Sequence, residues 1–487
     1  MTRRTQIRAV LAVVVLGMVL ALAAGFVTAG ESPNARYDRT ADLHTGEQPQ
    51  VVEPRSGVTV VAVQNGDVRD VSGELVAFRS NGTVLYQTER YSTYWDVDPT
   101  PGTDRTVSYV ATERLDSSVC EGEPVPTSGG ECRRNVVERL NLSTGERTRL
   151  YSHRSVGGRW HDVDVINDTH VLVADIANEV AFVVNGSSGI REWTWSAESY
   201  LSPGSGGPYD GDWVHLNDVE YLDDGRIMVD LRNQDQVAFV NRSTGVVDDW
   251  TLGSDDDHDV LHEQHNPDYI PESAGGPAVL VADSENDRLV EYQRENGSWN
   301  RTWRWTDADT QWPRDADRLP NDNTMITDTI GDRVFEVNPE GEIVWSLPVD
   351  RPYEAERLGS GEESAGGTSA AAADLESNAA APPEGPAERF EEAVRSVVPI
   401  KMQNALLGYI FPWWMGFYDV LTTVSLGGVL LAWGGVELWW SRFPDRVRER
   451  TGVEVEPTPR RLAVLAVLAL TAVASLGYLG TTVMSLF

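Results

Sequence analysis

Three histidines, His258, His262 and His265, fall within eight residues of the stretch "HDVLHEQHNPDYIP", in a chain that holds only eight. Neutral imidazole can ligate a metal, carry a proton near neutral pH or act as a nucleophile. The inert alternative is a solvated acidic loop. The spacing His258-x3-His262-x2-His265 would suit zinc if a helix set the rings on one face. No helical period runs through the stretch, so no metal and no cofactor is expected there.

The pattern around these residues decides between the remaining readings. The interior consists of short β-type runs separated by Gly, Asn and Asp, with no helical period before residue 387. Aligning "WDVDPTP" (95), "HDVDVIN" (161), "HLNDVEYL" (215), "HNPDYIP" (265) and "RDADRLP" (314) puts an acid three residues after each first position: Asp98, Asp164, Asp218, Asp268 and Asp317. Most are followed by a run ending in Asp ("VLVAD", "RIMVD", "AVLVAD", "MITD"), then by two further runs across turns. The first positions lie 66, 54, 50 and 49 residues apart. Four-strand units at about 40–50 residues are β-propeller blades. Near the start, "VTVVAVQ", "ELVAFRS" and "TVLYQTE" supply three strands without the first, and "YEAERL" at 353–358 matches "RDADRL" with no blade after it. Together they make a sixth blade and leave no open edge. The expected fold is all-β, a six-bladed β-propeller over residues 58–358 with terminal transmembrane helices.

Innermost strands line a propeller's central channel, so the first positions Trp95, His161, His215, His265, Arg314 and Tyr353 should converge there. On this register His265 faces the channel, while His258 and His262 belong to the loop before it. Two residues break the repeat at the same level. Asn217 is the lone amide among Val97, Val163, Pro267, Ala316 and Ala355, and Arg232 is the only cation in a set with Ala177, Glu285 and Ile330. The repeating Asp175, Asp230, Asp283 and Asp328 read as turn and inter-blade residues. Trp95 and Tyr353 either stack on an aromatic ligand or pack. The acidic loop ahead of His265 should keep its imidazole partly protonated unless Arg232 offsets those carboxylates.

Composition narrows the setting. The formal net charge is −35, and Lys401 is the only lysine among 40 basic residues. Such a surface fits adaptation to high salt and excludes a nucleic-acid partner, which needs a basic face. Residues 1–30 carry an apolar stretch (9–29) behind Arg3, Arg4 and Arg8, either a membrane anchor or a signal peptide. Residues 417–440 and 462–487 read as membrane spans, the first flanked by aromatic pairs, with a basic cytoplasmic loop at 441–461. The propeller is then placed on the extracellular side of the cell membrane, joined to it by a disordered linker (359–386) and an amphipathic, interfacial segment (387–416). Seven Asn-x-Ser/Thr sequons (Asn81, Asn141, Asn167, Asn185, Asn241, Asn296 and Asn300) agree with export and glycosylation. Cys120 and Cys132, the only cysteines, are free thiols or, in an oxidising compartment, a small disulfide loop.

"HLN" at 215–217, the arginine of "VDLRNQ" and "QHNP" at 264–267 resemble the arylsulfate sulfotransferase family. Those are exported six-bladed propellers that move a sulfuryl group between phenols without a nucleotide donor. The resemblance covers roughly residues 58–358. It implies His265 as the nucleophile that becomes sulfated, with His215, Asn217, Arg232 and His161 at the remaining catalytic positions. An aryl sulfate donor and a phenolic acceptor are the implied partners, with Trp95, Tyr353 and Arg314 as substrate-binding candidates. Imidazole can attack sulfur and then leave, Arg232 and Asn217 can stabilise sulfuryl oxygens, and His161 or His215 can move the phenolic proton. The chain departs from relatives at "LRNQ" and at Asn-Pro after Gln-His, and it lacks a preceding domain. Two other classes stay open. One is a non-catalytic, membrane-anchored propeller that binds glycans or envelope proteins. The other is a quinoprotein-like or metal-dependent enzyme built on the His258–His265 loop.

Overall fold

The computed structural model describes residues 2–64, 73–123, 130–360, 366–379 and 398–441. Its β portion is six antiparallel sheets arranged as propeller blades, each with at least four strands. The innermost strands are Pro352–Arg357, Thr93–Pro99, Trp160–Asp164, Leu216–Tyr221, His265–Ile270 and Pro313–Arg318, taken here as blades 1 to 6. Blade 1 is composite: the C-terminal strand Pro352–Arg357 pairs antiparallel with Thr59–Val63, Val61 standing opposite Ala355. The ring is therefore closed by residues almost 300 positions apart in the chain, as the unmatched "YEAERL" implies.

Each blade's second strand is sandwiched between neighbouring blades and its central residues are buried, in Ala278–Asp283 along the whole length. Both faces being covered, it reads as an unbroken apolar run rather than an alternation. Every fully buried Val or Leu there contributes about 1.5–3 kcal/mol. The turns have their own chemistry. In "NLSTG", "NGSSG" and "NRSTG" the side-chain oxygens of Asn141, Asn185 and Asn241 accept the amides two and three residues on, and Gly145, Gly189 and Gly245 take positive φ. Three of the seven sequons thus also build the turn before a blade's last strand. Cys120, at the end of the short 3-10 turn Ser117–Cys120, is disulfide-bonded to Cys132, the first residue of a strand of blade 2.

Each innermost strand has one edge against the channel, and most blades bulge by one residue near its start. Past the bulge the strands carry an acid-x-acid pattern: Asp96 and Asp98, Asp162 and Asp164, Asp218 and Glu220, Asp315 and Asp317, Glu354 and Glu356. Blade 5 keeps only Asp268. These carboxylates accept backbone amides of the next blade: Glu354 from Val97 at 3.0 Å, Asp96 from Val163 at 3.2 Å, Asp162 from Val219 at 2.9 Å, Glu220 from Tyr269 at 3.0 Å and Asp315 from Ala355 at 3.1 Å.

The chain divides into two compact units, residues 33–404 and residues 1–32 with 405–487. In the second, helices Arg3–Ala29 and Phe417–Trp440 are long and apolar enough to cross a membrane. Arg8 Nε donates to Glu437 at 2.6 Å, so the start of the first helix lies beside the end of the second.

Three segments differ from expectation. Within the expected disordered linker 359–386, residues 366–379 are ordered along blades 5 and 6. Ser369 caps the short helix Ala370–Ala373, Ala370 donates to Glu291 at 2.7 Å, and Asn378 N donates to the Arg304 carbonyl at 2.9 Å. Small side chains let this backbone come close: a Cβ on Gly275 would stand 2.5 Å from that of Ala372. Residues 400–404 of the expected interfacial segment pack on the propeller through buried Gln403 and Asn404, so polar rather than apolar groups decide their contacts. A helix not foreseen, Pro33–Ala41, seats Tyr37 edge-on to Phe78. The expected loop from 442 onward, the span 462–487 and residues 387–397 lie outside the described residues.

Burial raises the channel acids: Asp162 and Asp315 are pushed up to about 7, and Asp96, Asp218, Glu354 and Glu356 rise well above the usual carboxylate range, helped by one another's charge. A raised native pKa means the folded state binds more protons than the unfolded chain, so stability falls as pH climbs from the unfolded value through the folded one. In low salt the melting temperature should therefore decrease from pH 5 to pH 8, and high salt should flatten the slope. A melting temperature that holds level or rises over that interval at low salt would contradict this picture of the channel.

Candidate active site

The bulges bring functional side chains to one end of the channel. Trp95, His161, Arg314 and Tyr353 are the bulged residues of blades 2, 3, 6 and 1. The Trp95 and His161 rings stack at 4.1 Å, and Tyr353 lies edge-on to Trp95, His161 and His265 at 5.3, 6.1 and 6.4 Å. Arg314 lies over the Trp312 ring at 3.9 Å and contacts His265 Nε2.

Blade 4 departs from the sequence register. Its bulge falls between Leu216 and Asp218, so Asn217, not His215, is the counterpart of His161 and Trp95. His215 lies two residues outside, in the left-handed region at φ 55°. It still joins the group, its ring 5.3 Å from His161. The cause of the shift is the pattern "DVE" at 218–220, which aligns with "DVD" at 162–164 and moves the blade by two. Arg232 shifts likewise: strand Arg226–Leu231 ends one residue after Asp230, so Arg232 is equivalent to Ile176, Ser284 and Thr329.

His265 is completely buried, and its Nδ1 lies 2.9 Å from Ser284 Oγ and 3.2 Å from the Glu263 carbonyl. Ser284 spends its own proton on the Pro313 carbonyl at 2.6 Å, so His265 Nδ1–H is the donor to Ser284. The guanidinium of Arg314 can only donate, which independently places the lone pair on Nε2. Burial, reinforced by Arg314 and Arg232, holds His265 far below its ordinary pKa. The exception that Arg232 could provide therefore applies: burial first, then Arg314 and Arg232, outweigh the acidic loop and favour the neutral imidazole.

His215 Nδ1 pairs with Asp212 at 2.7 Å, which orients its Nε2. Burial lowers His215 to about 4 against the pull of Asp212. The unusual backbone around His215 is held by Glu179, whose carboxylate accepts the amides of Val214, His215 and Leu216 at 3.0, 3.3 and 3.3 Å. His161 accepts or donates at Nδ1 to Tyr353 Oη (3.3 Å), while its buried Nε2 has no partner among the described residues. Burial also lowers His161 well below 6.5, with His215 contributing. Asn217 is 1 % exposed, and neither its Oδ1 nor its Nδ2 has a hydrogen-bond partner among the described residues. A buried amide left unsatisfied on both sides costs about 1–3 kcal/mol, which a ligand could return.

Arg232 donates to Glu263 at 2.6 Å and lies 3.8 Å from Asp212. Burial opposes it, yet Arg232 and Lys401 hold the Glu263 carboxyl down at about 2. The other two histidines of the opening cluster stay outside: His258 and His262 stack face to face at 3.8 Å, and His258 Nε2 lies 3.3 Å from Asp235. Among the described residues, the groups whose ligand atoms converge as a metal site would require are Asp235/Asp256/His258, Asp38/Glu74/Glu89 and Asp96/Asp98/Glu354, and none joins two of the three histidines.

Sequence reasoning missed Asp212, Glu179, Glu263 and Ser284. An acid three residues before His215 and a serine one past "AVLVAD" were the available signals.

Solved structures similar to this chain share only about a tenth of its residues. A Bacteroides caccae protein of unknown function is 12 % identical, with 62 % of this chain and 98 % of that one covered at a TM-score of 0.41. The Pseudomonas aeruginosa periplasmic gluconolactonase PpgL is 12 % identical over 63 % and 100 % at 0.40. A Staphylococcus aureus virginiamycin B lyase is 12 % identical over 50 % and 78 % at 0.32. No curated protein sequence matches. The model of the arylsulfotransferase (ASST) family matches residues 161–292, a stretch that contains His161, His215, Asn217, Arg232 and His265, and together with the six blades it supports kinship with that family.

Proposed function

We propose that this chain is a nucleotide-independent sulfotransferase, moving a sulfuryl group from an aryl sulfate to a phenolic hydroxyl through a sulfohistidine on His265. The observation that carries the reading is the His265 tautomer: a buried, neutral imidazole whose lone pair at Nε2 faces a cation at the level of Asn217 and His161. A sulfate ester entering there meets Arg314 and Arg232 as charge partners and Asn217 Nδ2 as a donor with no other partner among the described residues.

In the first displacement the Nε2 lone pair forms an N–S bond while the S–O(aryl) bond breaks. The electron pair leaves on the phenolate, which departs in the field of the arginines. In the second, the acceptor oxygen attacks sulfur and the N–S electrons return to Nε2. His215, neutral and with Nδ1 tied to Asp212, takes the acceptor's proton on Nε2. Tyr353, whose hydroxyl burial keeps protonated, donates to His161 Nδ1 and so turns Nε2–H of His161 toward a sulfuryl oxygen. Trp95, stacked on His161, supplies an aromatic wall for the donor ring. Two apolar helices and their flanking arginines fit a membrane anchor with the propeller outside the cell.

His265→Ala and His265→Asn should each reduce turnover of a chromogenic aryl sulfate with a phenol acceptor by at least about 10⁴-fold. Both should abolish the acid-labile sulfonate adduct seen by mass spectrometry after a donor-only incubation, whereas His258→Ala and His262→Ala keep most activity. Transfer surviving in His265→Ala would end the sulfohistidine proposal.

The acid limb follows from the lowered histidines. A base whose pKa is depressed stays neutral above it, so kcat/KM should be level from pH 8 down to about 5 and fall as His215 protonates near 4. A limb centred near 6.5 would mean ordinary solvated histidines and would contradict a His215 held largely out of water beside Asp212.

A further inference from the structure

The chain's only lysine belongs to no blade, yet it stands at the site. Lys401 lies on the short helix Ile400–Ala405, and its Nζ contacts Glu263 Oε1 while Arg232 Nη2 holds Oε2 at 2.6 Å. One carboxylate therefore serves two cations. Three residues on, Asn404 is fully buried between two rim loops, donating to Glu285 at 3.0 Å and accepting from Gln311 at 3.1 Å.

Each loop so strapped touches the nucleophile's surroundings. Glu263 lends its carbonyl to His265 Nδ1–H. Glu285 follows Ser284, and it accepts from Trp312 Nε1 at 3.1 Å, the ring on which Arg314 lies. The Lys401 side chain remains about half exposed. A group with only a packing duty would gain nothing from a half-exposed ammonium, shared on one carboxylate with Arg232, in a chain that uses arginine everywhere else.

We propose that Lys401 is a positioning residue for the anionic donor: it keeps Glu263 neutralised while Arg232 swings from that carboxylate to the incoming sulfate ester. Without the lysine, taking Arg232 away would leave Glu263 buried and unpaired, an expensive state that would hold Arg232 in place. The lysine also adds a positive charge at the mouth of a strongly acidic protein, where it recruits the donor anion. The inference rests on the sulfotransferase reading of this same site.

The test uses the full-length, detergent-solubilised protein. Lys401→Met should raise the donor KM about tenfold while kcat changes by less than about threefold, and Lys401→Arg should restore the donor KM to near the wild-type value. Because Lys401 is the sole lysine, acetylation labels it alone besides the N-terminal amine, and peptide mass spectrometry reads its rate directly. Inorganic sulfate should slow acetylation of Lys401 relative to chloride at equal ionic strength. If sulfate gives no protection and Lys401→Met leaves the donor KM unchanged, the proposal is overturned. Should the Lys401→Met protein be too damaged to assay, the donor KM of Lys401→Arg and the protection of wild-type Lys401 by sulfate decide the matter. If wild-type protein turns over no aryl sulfate, the sulfotransferase reading fails, and protection by sulfate alone then upholds or overturns the anion site at Lys401.

Discussion

One interaction recurs around the ring and sets what the molecule can be: in five of the six blades a carboxylate on the innermost strand accepts a backbone amide of the next. An innermost strand is an edge strand, and its outward amides would otherwise face the channel without a partner. The acids at the second and fourth positions satisfy them and fix the rotation of one blade against the next. Blade 5 tests this account. Its third position is Pro267, which has no N–H to give, and the acid that would have used it, Asp218, is left with an Oδ2 that has no partner among the described residues. Glu220 takes over by reaching Tyr269 two residues further along. The exception falls on the blade that carries His265.

The same edges explain why the candidate residues collect at the channel's end. A bulge turns one residue off the ladder and aims its side chain where the repeat would otherwise place backbone. The acids below it bind blades together and are not free to vary, but the bulged residue is. Tryptophan, imidazole, an amide, an arginine and a tyrosine can therefore occupy equivalent places without disturbing the sheet. His265 gains most from its neighbours: Ser284 and Arg314, from its own blade and from the next, agree on one tautomer, and neither would do so in a loop open to water.

The architecture was legible in the sequence because blades repeat, and repetition survives local errors. Six blades and the closing strand follow from where "RDADRL" and "YEAERL" recur. Register inside a blade is a finer matter. "HLND" matched "HDVD" by its first and last letters, whereas the acid-x-acid pair "DVE" carries the alignment, since it is those carboxylates that the next blade's amides engage. Matching on the histidine placed His215 where Asn217 stands. Asp212 and Ser284 left only faint local signals and Glu179 none, for another reason: they act on His215 and His265 through loops whose approach depends on tertiary packing, which no periodicity encodes. The Ala- and Ser-rich stretch at 366–379 has the composition of a tether, yet its small side chains are what allow its backbone to hydrogen-bond along two blades.

Net charge of −35 makes anion binding look unpromising, and the resolution is one of distance. At physiological ionic strength fields fade over about 8 Å, and at molar salt over about 3 Å. A sulfate ester bound at the channel's end, as proposed, would therefore feel the groups that touch it and little of the surface. Within that range stand Arg232 and Arg314, with Arg159 acting on His161 and His215. The nearest acids are already committed: Asp212 to His215, Glu263 to Arg232 and Lys401, Glu285 to Trp312 and Asn404. An acidic exterior and a cationic end of the channel are thus compatible, and higher salt separates them further. It screens the exterior's repulsion of the approaching anion while weakening far less a largely shielded pair such as Arg232 with Glu263.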